Sequence, residues 1–253
     1  MSLGPESALS APVAALRLDG ADALALLHRL STAFLADLAP GEGRATLFCD
    51  FRGRLLHRAW VARDPGGAIW LLRPDAKAAE LAAFIDRHVF REQVRIEDAT
   101  GAQAAPGLPD TERFASELAR IRAGHPRHGH EIAEAFTPFE INRAHEVHLQ
   151  KGCFTGQEAL MRLLTYRSVR RRLALVEGAG PPPAPAHVRR EAASVGRLTS
   201  TTSLPAKGSG ARWIGLAVLA HDAAERHDGL RVEGGAELER VEPFPILPPA
   251  GLP

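Results

Sequence analysis

Cysteine is scarce in this chain. Only two cysteines, Cys49 and Cys153, occur among its 253 residues. They lie too far apart to form a C-x-x-C pair, and two cysteines cannot build the disulfide framework of a small secreted domain. One chain therefore cannot supply the four thiolates of an ordinary iron–sulfur cluster. We expect a protein of the reducing cytoplasm that holds no stably bound cluster.

The chain also has no excess of either sign of charge. The 31 basic and 30 acidic residues leave a formal net charge of +1. This balance excludes a strong, indiscriminate attraction to nucleic acid or membranes, so any anion site must be local. No apolar stretch reaches the roughly eighteen residues that a membrane-spanning helix needs. We expect neither a membrane location nor direct binding to nucleic acid.

Aromatic residues and phosphate-binding loops are sparse as well. The chain has one Tyr, 3 Trp and 10 Phe. A stacking partner for a flat ligand is therefore expected to be Phe or Trp, and Trp60 is a candidate. No G-x-x-x-x-G-K-S/T loop occurs, so the sequence offers no basis for nucleotide hydrolysis.

The apolar pattern predicts an α+β fold. Residues 20–30 have the spacing of an amphipathic helix, and residues 44–63 alternate through a glycine turn as a hairpin. A further strand is predicted at 68–72 and a helix at 76–88. The Gly- and Pro-containing stretch 101–109 marks a connection, followed by a helical or extended entry at 112–122. Beyond a strand at 171–177, short segments between turns suggest a small all-β unit.

The octapeptide 151–158, Lys-Gly-Cys-Phe-Thr-Gly-Gln-Glu, is the most informative stretch. Thr155 and Glu158 have the spacing of a capping box at the start of a helix. The helix dipole, Lys151 and Arg162 would then favour a thiolate at Cys153. The alternative is a tight glycine loop over a small buried cysteine. Cys49, beside Phe48 and Phe51 on a strand, is expected to be a buried structural thiol.

The octapeptide matches the signature K-G-C-F/Y-x-G-Q-E, and the chain thereby resembles the YgfZ-type folate-binding proteins, relatives of the glycine-cleavage T-protein. Residues 44–55, 122–129, 137–140, 195–200 and 215–219 also resemble segments of that family. The resemblance implies a discontinuous first domain (1–41 and 103–166), an inserted α+β domain (42–102) and a C-terminal β-barrel domain (167–253). These domains would surround a central channel for folate.

The resemblance also implies a function. The protein would bind tetrahydrofolate or a derivative and assist iron–sulfur cluster assembly or repair, with indirect effects on tRNA thiolation. Its partners would be assembly proteins or client enzymes, and Cys153 would be its working thiol. The implied folate-binding residues are Lys151, Gly152, Phe154, Gly156, Gln157, Glu158, Arg162, Glu140 and Arg122.

Two other functions remain open at this point. The first is a folate-dependent aminomethyl or methyl transferase like T-protein, which needs an acidic group near folate. Where the T-protein motif carries its acidic pair, this chain has His57 and Arg58, and a cation cannot replace such a carboxylate. Asp50 could reach the site through a loop shift. The second alternative is a folate sensor whose ligand orders the domains.

Histidines and arginines form two further clusters. His145, His148 and Cys153 superficially resemble a metal site, but their spacing matches no closed structural site, and we expect no metal. Basic residues recur after the octapeptide, at Arg162, Arg167, Arg170, Arg171, Arg172, Arg189 and Arg190. They could meet RNA phosphates or an acidic partner, although such a stretch is usually a solvated face.

Overall fold

Two antiparallel sheets hold most of the regular structure in the computed structural model, which describes residues 13–75, 77–205, 210–226 and 228–251. The first sheet has the strand order β2-β3-β4-β1-β5. Its strands are β1 (Ala14–Asp19), β2 (Gly43–Cys49), β3 (Leu55–Arg63), β4 (Ile69–Arg73) and β5 (Arg95–Asp98). The predicted hairpin at 44–63 is confirmed, because β2 and β3 pair from Gly43 opposite Ala62 to Cys49 opposite Leu55.

Two helices pack on the first sheet, α1 (Ala23–Leu30) and α2 (Ala78–Asp86). Leu26 and Leu27 of α1 join Leu81 and Ile85 of α2 in one buried cluster with residues of the sheet. This spacing of apolar residues is that of a helix with one buried face. The helices predicted at 20–30 and 76–88 are therefore confirmed within these bounds.

The chain between the two sheets has little regular structure. It contains α3 (Glu117–Arg122), α4 (Gln157–Thr165) and short 3-10 turns at Asp110–Glu112 and Ala144–Glu146. The hydroxyl of Ser116 accepts a hydrogen bond from the N–H of Ala119 at 3.1 Å, so α3 begins later than the predicted entry at residue 112. Phe136 and Leu160 of this segment share a buried cluster with residues of both sheets. The segment therefore holds the two sheets together.

The second sheet has the strand order β10-β7-β8-β9-β6-β11. Its strands are β6 (Arg171–Ala179), β7 (His187–Arg190), β8 (Ala193–Ser203), β9 (Arg212–Ala220), β10 (Leu230–Val232) and β11 (Arg240–Pro243), with α5 (His221–Glu225) after β9. Trp213, Leu219 and Val176 lie in its own buried cluster. Both sheets are antiparallel, so the α+β prediction agrees with the mixture of helices and sheets observed.

The first sheet crosses one of the predicted domain boundaries. β1 lies between β4 and β5 and forms antiparallel ladders with both. Residues 14–19, which the resemblance places in the discontinuous first domain, are therefore hydrogen-bonded to strands of the predicted inserted domain. Strands that pair across such a distance in the chain leave no local pattern in the sequence from which the pairing could be predicted.

Helix α4 begins without the capping box predicted from Thr155 and Glu158. Its N-cap is Gly156, with φ +86°, and no side chain accepts from the first turn. A Cβ on Gly156 would lie 2.5 Å from the backbone oxygen of Asp50, so only glycine allows this approach to the β2–β3 turn. Glu158 instead pairs with Arg162 at 2.6 Å. The capping-box prediction is wrong.

None of the described helices is long and apolar enough to cross a membrane.

Candidate functional site

A cavity of about 740 Å³ lies between the β2–β3 hairpin and the segment that connects the two sheets. Strand β3 contributes Arg58 and Trp60, and the 3-10 turns contribute Glu112 and Glu146. The volume is that of an ordinary small-molecule site. Its remaining lining residues include Phe34, Arg44, Phe114, His125, Arg143, His145 and His148.

The guanidinium group of Arg58 is buried at the wall of this cavity between two carboxylates. It donates to both oxygens of Glu112, at 2.6 and 2.8 Å, and to both oxygens of Glu146, with a shortest distance of 2.7 Å. The three side chains are only 4–7% exposed. Paired forks of this kind fix the geometry of both partners and are stronger than neutral hydrogen bonds.

The two carboxylates are ionised because Arg58 faces them. Burial alone would raise the pKa of Glu112, but hydrogen bonds from Arg58 and His125 hold that pKa well below its usual range. For Glu146 burial is likewise outweighed by the charge and hydrogen bonds of Arg58, which lower the pKa. Burial lowers the pKa of His125, whose Nε2 lies 3.3 Å from Glu112. Because Arg143 also lies 3.3 Å from Glu146, this wall of the cavity holds two positive and two negative charges, and it is polar and firmly held.

Aromatic side chains form the other walls. Phe34 packs edge-on against His28, with ring centroids 5.2 Å apart, and Phe114 lies 4.7 Å from the ring of His125. Trp60 lies against Gly43 on the paired strand, where any Cβ would overlap the indole. Flat apolar surfaces beside one hydrogen-bonding carboxylate suit a flat heterocyclic ligand.

Strand β3 separates the two residues that replace the T-protein acidic pair. Adjacent residues of a strand point to opposite faces. Arg58 faces the cavity, whereas His57 packs against Phe84 of α2, with ring centroids 5.0 Å apart. Asp50 does not reach the cavity, because its carboxylate accepts from the backbone N–H groups of Arg52 and Arg54, both at 2.8 Å. The only acidic groups among the lining residues, Glu112 and Glu146, are both paired with Arg58.

The octapeptide lies outside the cavity. The ammonium of Lys151 donates to the backbone oxygens of Ser31 and Ala33, both at 2.6 Å, and to that of His28. Gln157 donates to the backbone oxygen of Leu149 at 2.7 Å. Phe154 is buried, Gly152 and Glu158 are exposed, and Gly156 packs on the hairpin turn. These contacts hold the loop in place rather than line a pocket for a large ligand.

Cys153 is exposed and Cys49 is buried. The burial predicted for Cys49 is confirmed, and burial raises the pKa of its thiol beyond the physiological range. Cys153 lies in a shallow depression with Arg29, His88, Phe90 and Glu92. Neither predicted cation lines this depression, since Lys151 is held by backbone oxygens and Arg162 lines a separate depression.

The two remaining predicted folate-binding residues lie elsewhere. Arg122 is exposed at the end of α3. Glu140 is buried, accepts from the N–H and hydroxyl of Thr137, and pairs with Arg171 at 2.7 Å. With Arg162 it lines a separate depression. The nine predicted folate-binding residues therefore do not converge on one cavity.

His145 and His148 line the cavity, but Cys153 does not join them. Within the part of the chain that the structure describes, no three histidine, cysteine or acidic side chains come together as metal ligands.

The sequence analysis missed Glu112, Glu146, Phe34 and Phe114. Glu112 and Glu146 lie in short 3-10 turns that have no apolar periodicity. One signal was available, because Arg58 and Trp60 are two residues apart on a predicted strand and so must share a face.

A second buried network lies on the opposite face of β3 and predicts sensitivity to acid. Burial, with the nearby charge of Arg73, lowers the pKa of His57 to about 4 and that of His128 to about 3. The unfolded chain takes up these protons near pH 6.5, whereas the folded protein resists them. The stability that the neutral imidazoles contribute is therefore present above pH 6.5 and is lost as the pH falls towards about 4.

We expect the free energy of unfolding to fall by a few kcal/mol over this range, from the usual worth of about 1.4 kcal/mol per pKa unit. Urea titrations at intervals between pH 6.5 and pH 4.5 measure this fall in the free energy of unfolding. The range lies above the pH at which ordinary carboxyl groups titrate. His57→Phe, whose ring would pack beside Phe84, should make the free energy of unfolding depend less on pH, because it removes one of the two buried imidazoles. A wild-type profile that is already flat would contradict this reading.

No protein-family model matches the chain. It is 33% identical over 108 residues, 43% of its length, to a putative chloroplastic transferase of Arabidopsis thaliana. It is 36% identical over 110 residues, 41% of its length, to a probable aminomethyltransferase of Natronomonas pharaonis. These matches cover 24% and 30% of the two relatives, so the chain aligns with less than a third of either.

The fold is similar to that of glycine cleavage system aminomethyltransferase T from Bartonella henselae. The two structures superpose with a TM-score of 0.70 and 16% sequence identity, over 92% of this chain and 83% of that chain. At this identity the likeness concerns the fold, and it extends over both sheets and the segment between them. The chain therefore has the fold of a glycine-cleavage T-protein.

Proposed function

We propose that this protein binds a reduced folate in the cavity beside Arg58 and acts as an accessory factor rather than as an aminomethyltransferase. The observation that carries the proposal is the cavity itself, in which one carboxylate with spare hydrogen-bonding capacity stands among aromatic walls. The T-protein fold and the YgfZ-type signature support folate as the ligand.

Glu112 is the group that would receive the N–H edge of a pterin. Its Oε1 accepts one hydrogen bond, from Arg58, while Oε2 accepts from Arg58 and faces His125. Each carboxylate oxygen has two lone pairs, so Oε1 retains one for a ligand. The carboxylate stays ionised, as an acceptor must, because Arg58 and His125 lower its pKa.

Aromatic and cationic groups suit the rest of the molecule. Phe34, Trp60 and Phe114 offer faces for a flat ring system. Arg44 and His148 line the same cavity and would stand near an anionic tail. Arg44 is 36% exposed and pairs with the exposed Asp37 at 2.8 Å. Because such a surface pair is weak, a ligand carboxylate could take the place of Asp37.

Aminomethyl transfer is disfavoured by the charge at the centre of the cavity. A catalytic carboxylate must be free to stabilise a developing positive amine. Here Arg58 pairs with both Glu112 and Glu146, and Arg143 lies 3.3 Å from Glu146, so two cations balance the two carboxylates. The transferase remains the alternative, supported by the likeness to a probable aminomethyltransferase.

The accessory role is support of iron–sulfur cluster assembly or repair, with Cys153 as the working thiol and tRNA thiolation affected indirectly. The octapeptide signature supports this part of the proposal, and the exposure of Cys153 leaves the thiol accessible to a partner. The division into a discontinuous first domain, an inserted domain and a C-terminal barrel, and the cytoplasmic location, belong to the same proposal.

The test is complementation of a host that lacks its own protein of this type, with the activity of an iron–sulfur enzyme measured under oxidative stress. Wild type should restore the activity, whereas Cys153→Ala and Phe114→Ala should not. Cys49→Ala is the matched control, because its thiol is buried, and it should rescue.

Rescue by Cys153→Ala would show that the function does not need the thiol. Rescue by Phe114→Ala would show that it does not need the cavity. If wild type fails although it is expressed and folded, the accessory role is wrong. Formation of methylenetetrahydrofolate from an aminomethylated donor would then favour the transferase.

A further inference from the structure

Five arginines converge on a depression of about 570 Å³ on the side of the molecule that carries helix α4. They come from separate elements: the β2–β3 turn, α4 and the start of β6. We call this feature the arginine depression and define it by Arg52, Arg54, Arg162, Arg170 and Arg171.

The arginine depression concentrates positive charge in a nearly neutral protein. Glu140 accepts from Arg171 at 2.7 Å and lies 3.5 Å from Arg54, and Glu158 pairs with Arg162. Asp50 adds a third carboxylate in the turn that carries Arg52 and Arg54. Five guanidinium groups against three carboxylates leave an excess of two positive charges in a chain whose formal net charge is +1. Such a local excess attracts anionic groups and orients their approach.

Two of the cations are available to a partner. Arg52 and Arg170 are exposed and form no ion pair with any residue that the structure describes. Arg52 lies over the ring of Phe51, with its guanidinium carbon 5.1 Å from the ring centroid. Arg162 and Glu158 are 69% and 81% exposed, so their pair is weak and can exchange partners.

Exposed apolar side chains flank the charge. Phe51 beside Arg52 is 72% exposed, and Tyr166, one turn after Arg162 and Leu163 at the end of α4, is 76% exposed. Phenylalanine, tyrosine and arginine are among the residue types enriched at protein–protein interfaces. The depression itself has no aromatic lining residue on which a base could stack. Inside the depression, where a base would find no aromatic ring to stack on, a protein segment fits better than single-stranded nucleic acid.

We propose that the arginine depression docks an acidic segment of a partner protein, with carboxylates at Arg52 and Arg170 and apolar side chains against Phe51 and Tyr166. This inference is independent of folate binding. Cys153 lines a separate depression, but the chain links the two sites, because Gly156 packs on the turn that carries Arg52 and Cys153 precedes Gly156 by three residues. Three residues span at most about 11 Å.

The test is fluorescence anisotropy with a short labelled peptide that alternates glutamate with leucine, titrated with the full-length protein. We expect saturable binding that weakens as salt is added. Arg52→Ala with Arg170→Ala should weaken the binding by at least about tenfold, since each removes an exposed charge at the site. Both side chains are exposed, so the double variant keeps its fold.

Arg95→Ala with Arg231→Ala is the matched control. These arginines are 78% and 64% exposed on β5 and β10, and their loss changes the net charge equally. This double variant should bind the peptide as tightly as wild type does. The proposal is overturned if both double variants bind alike, or if a glutamine–leucine peptide binds as well as the glutamate–leucine one. Tighter binding of oligouridylate, lost in Arg52→Ala with Arg170→Ala, would also overturn it and reassign the surface to nucleic acid.

Discussion

Replacing Arg58 by methionine is expected to destabilise the protein by about 3–5 kcal/mol, the usual cost of leaving a buried charge without its partner. Arg58 is the common partner of Glu112 and Glu146, which are 7% and 4% exposed. Without the guanidinium group Glu112 would keep only the ring of His125, and Glu146 would keep chiefly Arg143, each at 3.3 Å. Urea denaturation at neutral pH measures the loss.

Two controls identify the cause of that loss. Arg44→Met removes another arginine of the same cavity, but Arg44 is 36% exposed and should cost less than about 1 kcal/mol. Adding Glu112→Gln to Arg58→Met should recover much of the stability, because Glu146 keeps Arg143 at 3.3 Å and the carboxylate of Glu112 is no longer there to be left without a cation. A loss for Arg58→Met as small as that for Arg44→Met would contradict the account of the network.

Replacing Lys151 by methionine is expected to cost about 3 kcal/mol, because buried carbonyls without donors are penalised individually by about 1–3 kcal/mol. The ammonium of Lys151 is the donor for the backbone oxygens of Ser31 and Ala33, and for that of His28 in the last turn of α1. Urea denaturation measures the loss, and faster hydrogen exchange at the end of α1 should locate it.

Arg29→Met is the matched control for Lys151. Arg29 is also a cation in the last turn of α1, but it is 55% exposed and pairs with Glu92 at the surface. Its removal should cost less than about 1 kcal/mol. If Lys151 instead served the thiol, Lys151→Met would leave stability unchanged and shift the pH profile of Cys153 alkylation, and that outcome would contradict the structural role.

Local sequence patterns predicted the elements that rest on local physics. The β2–β3 hairpin follows from alternation around a glycine turn, and α1 from the spacing of its leucines. The apolar strand at Cys49 predicted the burial of that thiol, whereas the sequence left the exposure of Cys153 open, and the structure exposes it.

The centre of the candidate site could not be predicted in the same way. Arg58, Glu112 and Glu146 come from three distant segments, and nothing near each residue marks it as buried or paired. The octapeptide illustrates the converse, because its residues are conspicuous in sequence and yet Lys151 and Gln157 bind backbone oxygens. Tertiary packing decided both outcomes.

A titration of tryptophan fluorescence with 5-formyltetrahydrofolate tests the central claim most directly. Trp60 lines the cavity, whereas Trp70 and Trp213 are 2% and 0% exposed, so a ligand in the cavity should quench mainly Trp60. Wild type should show saturable quenching, Phe114→Ala should bind at least about tenfold more weakly through loss of an aromatic wall, and Cys153→Ser should bind like wild type. Absence of saturable quenching, or quenching that survives in Phe114→Ala and disappears in Cys153→Ser, would contradict the assignment of folate to this cavity.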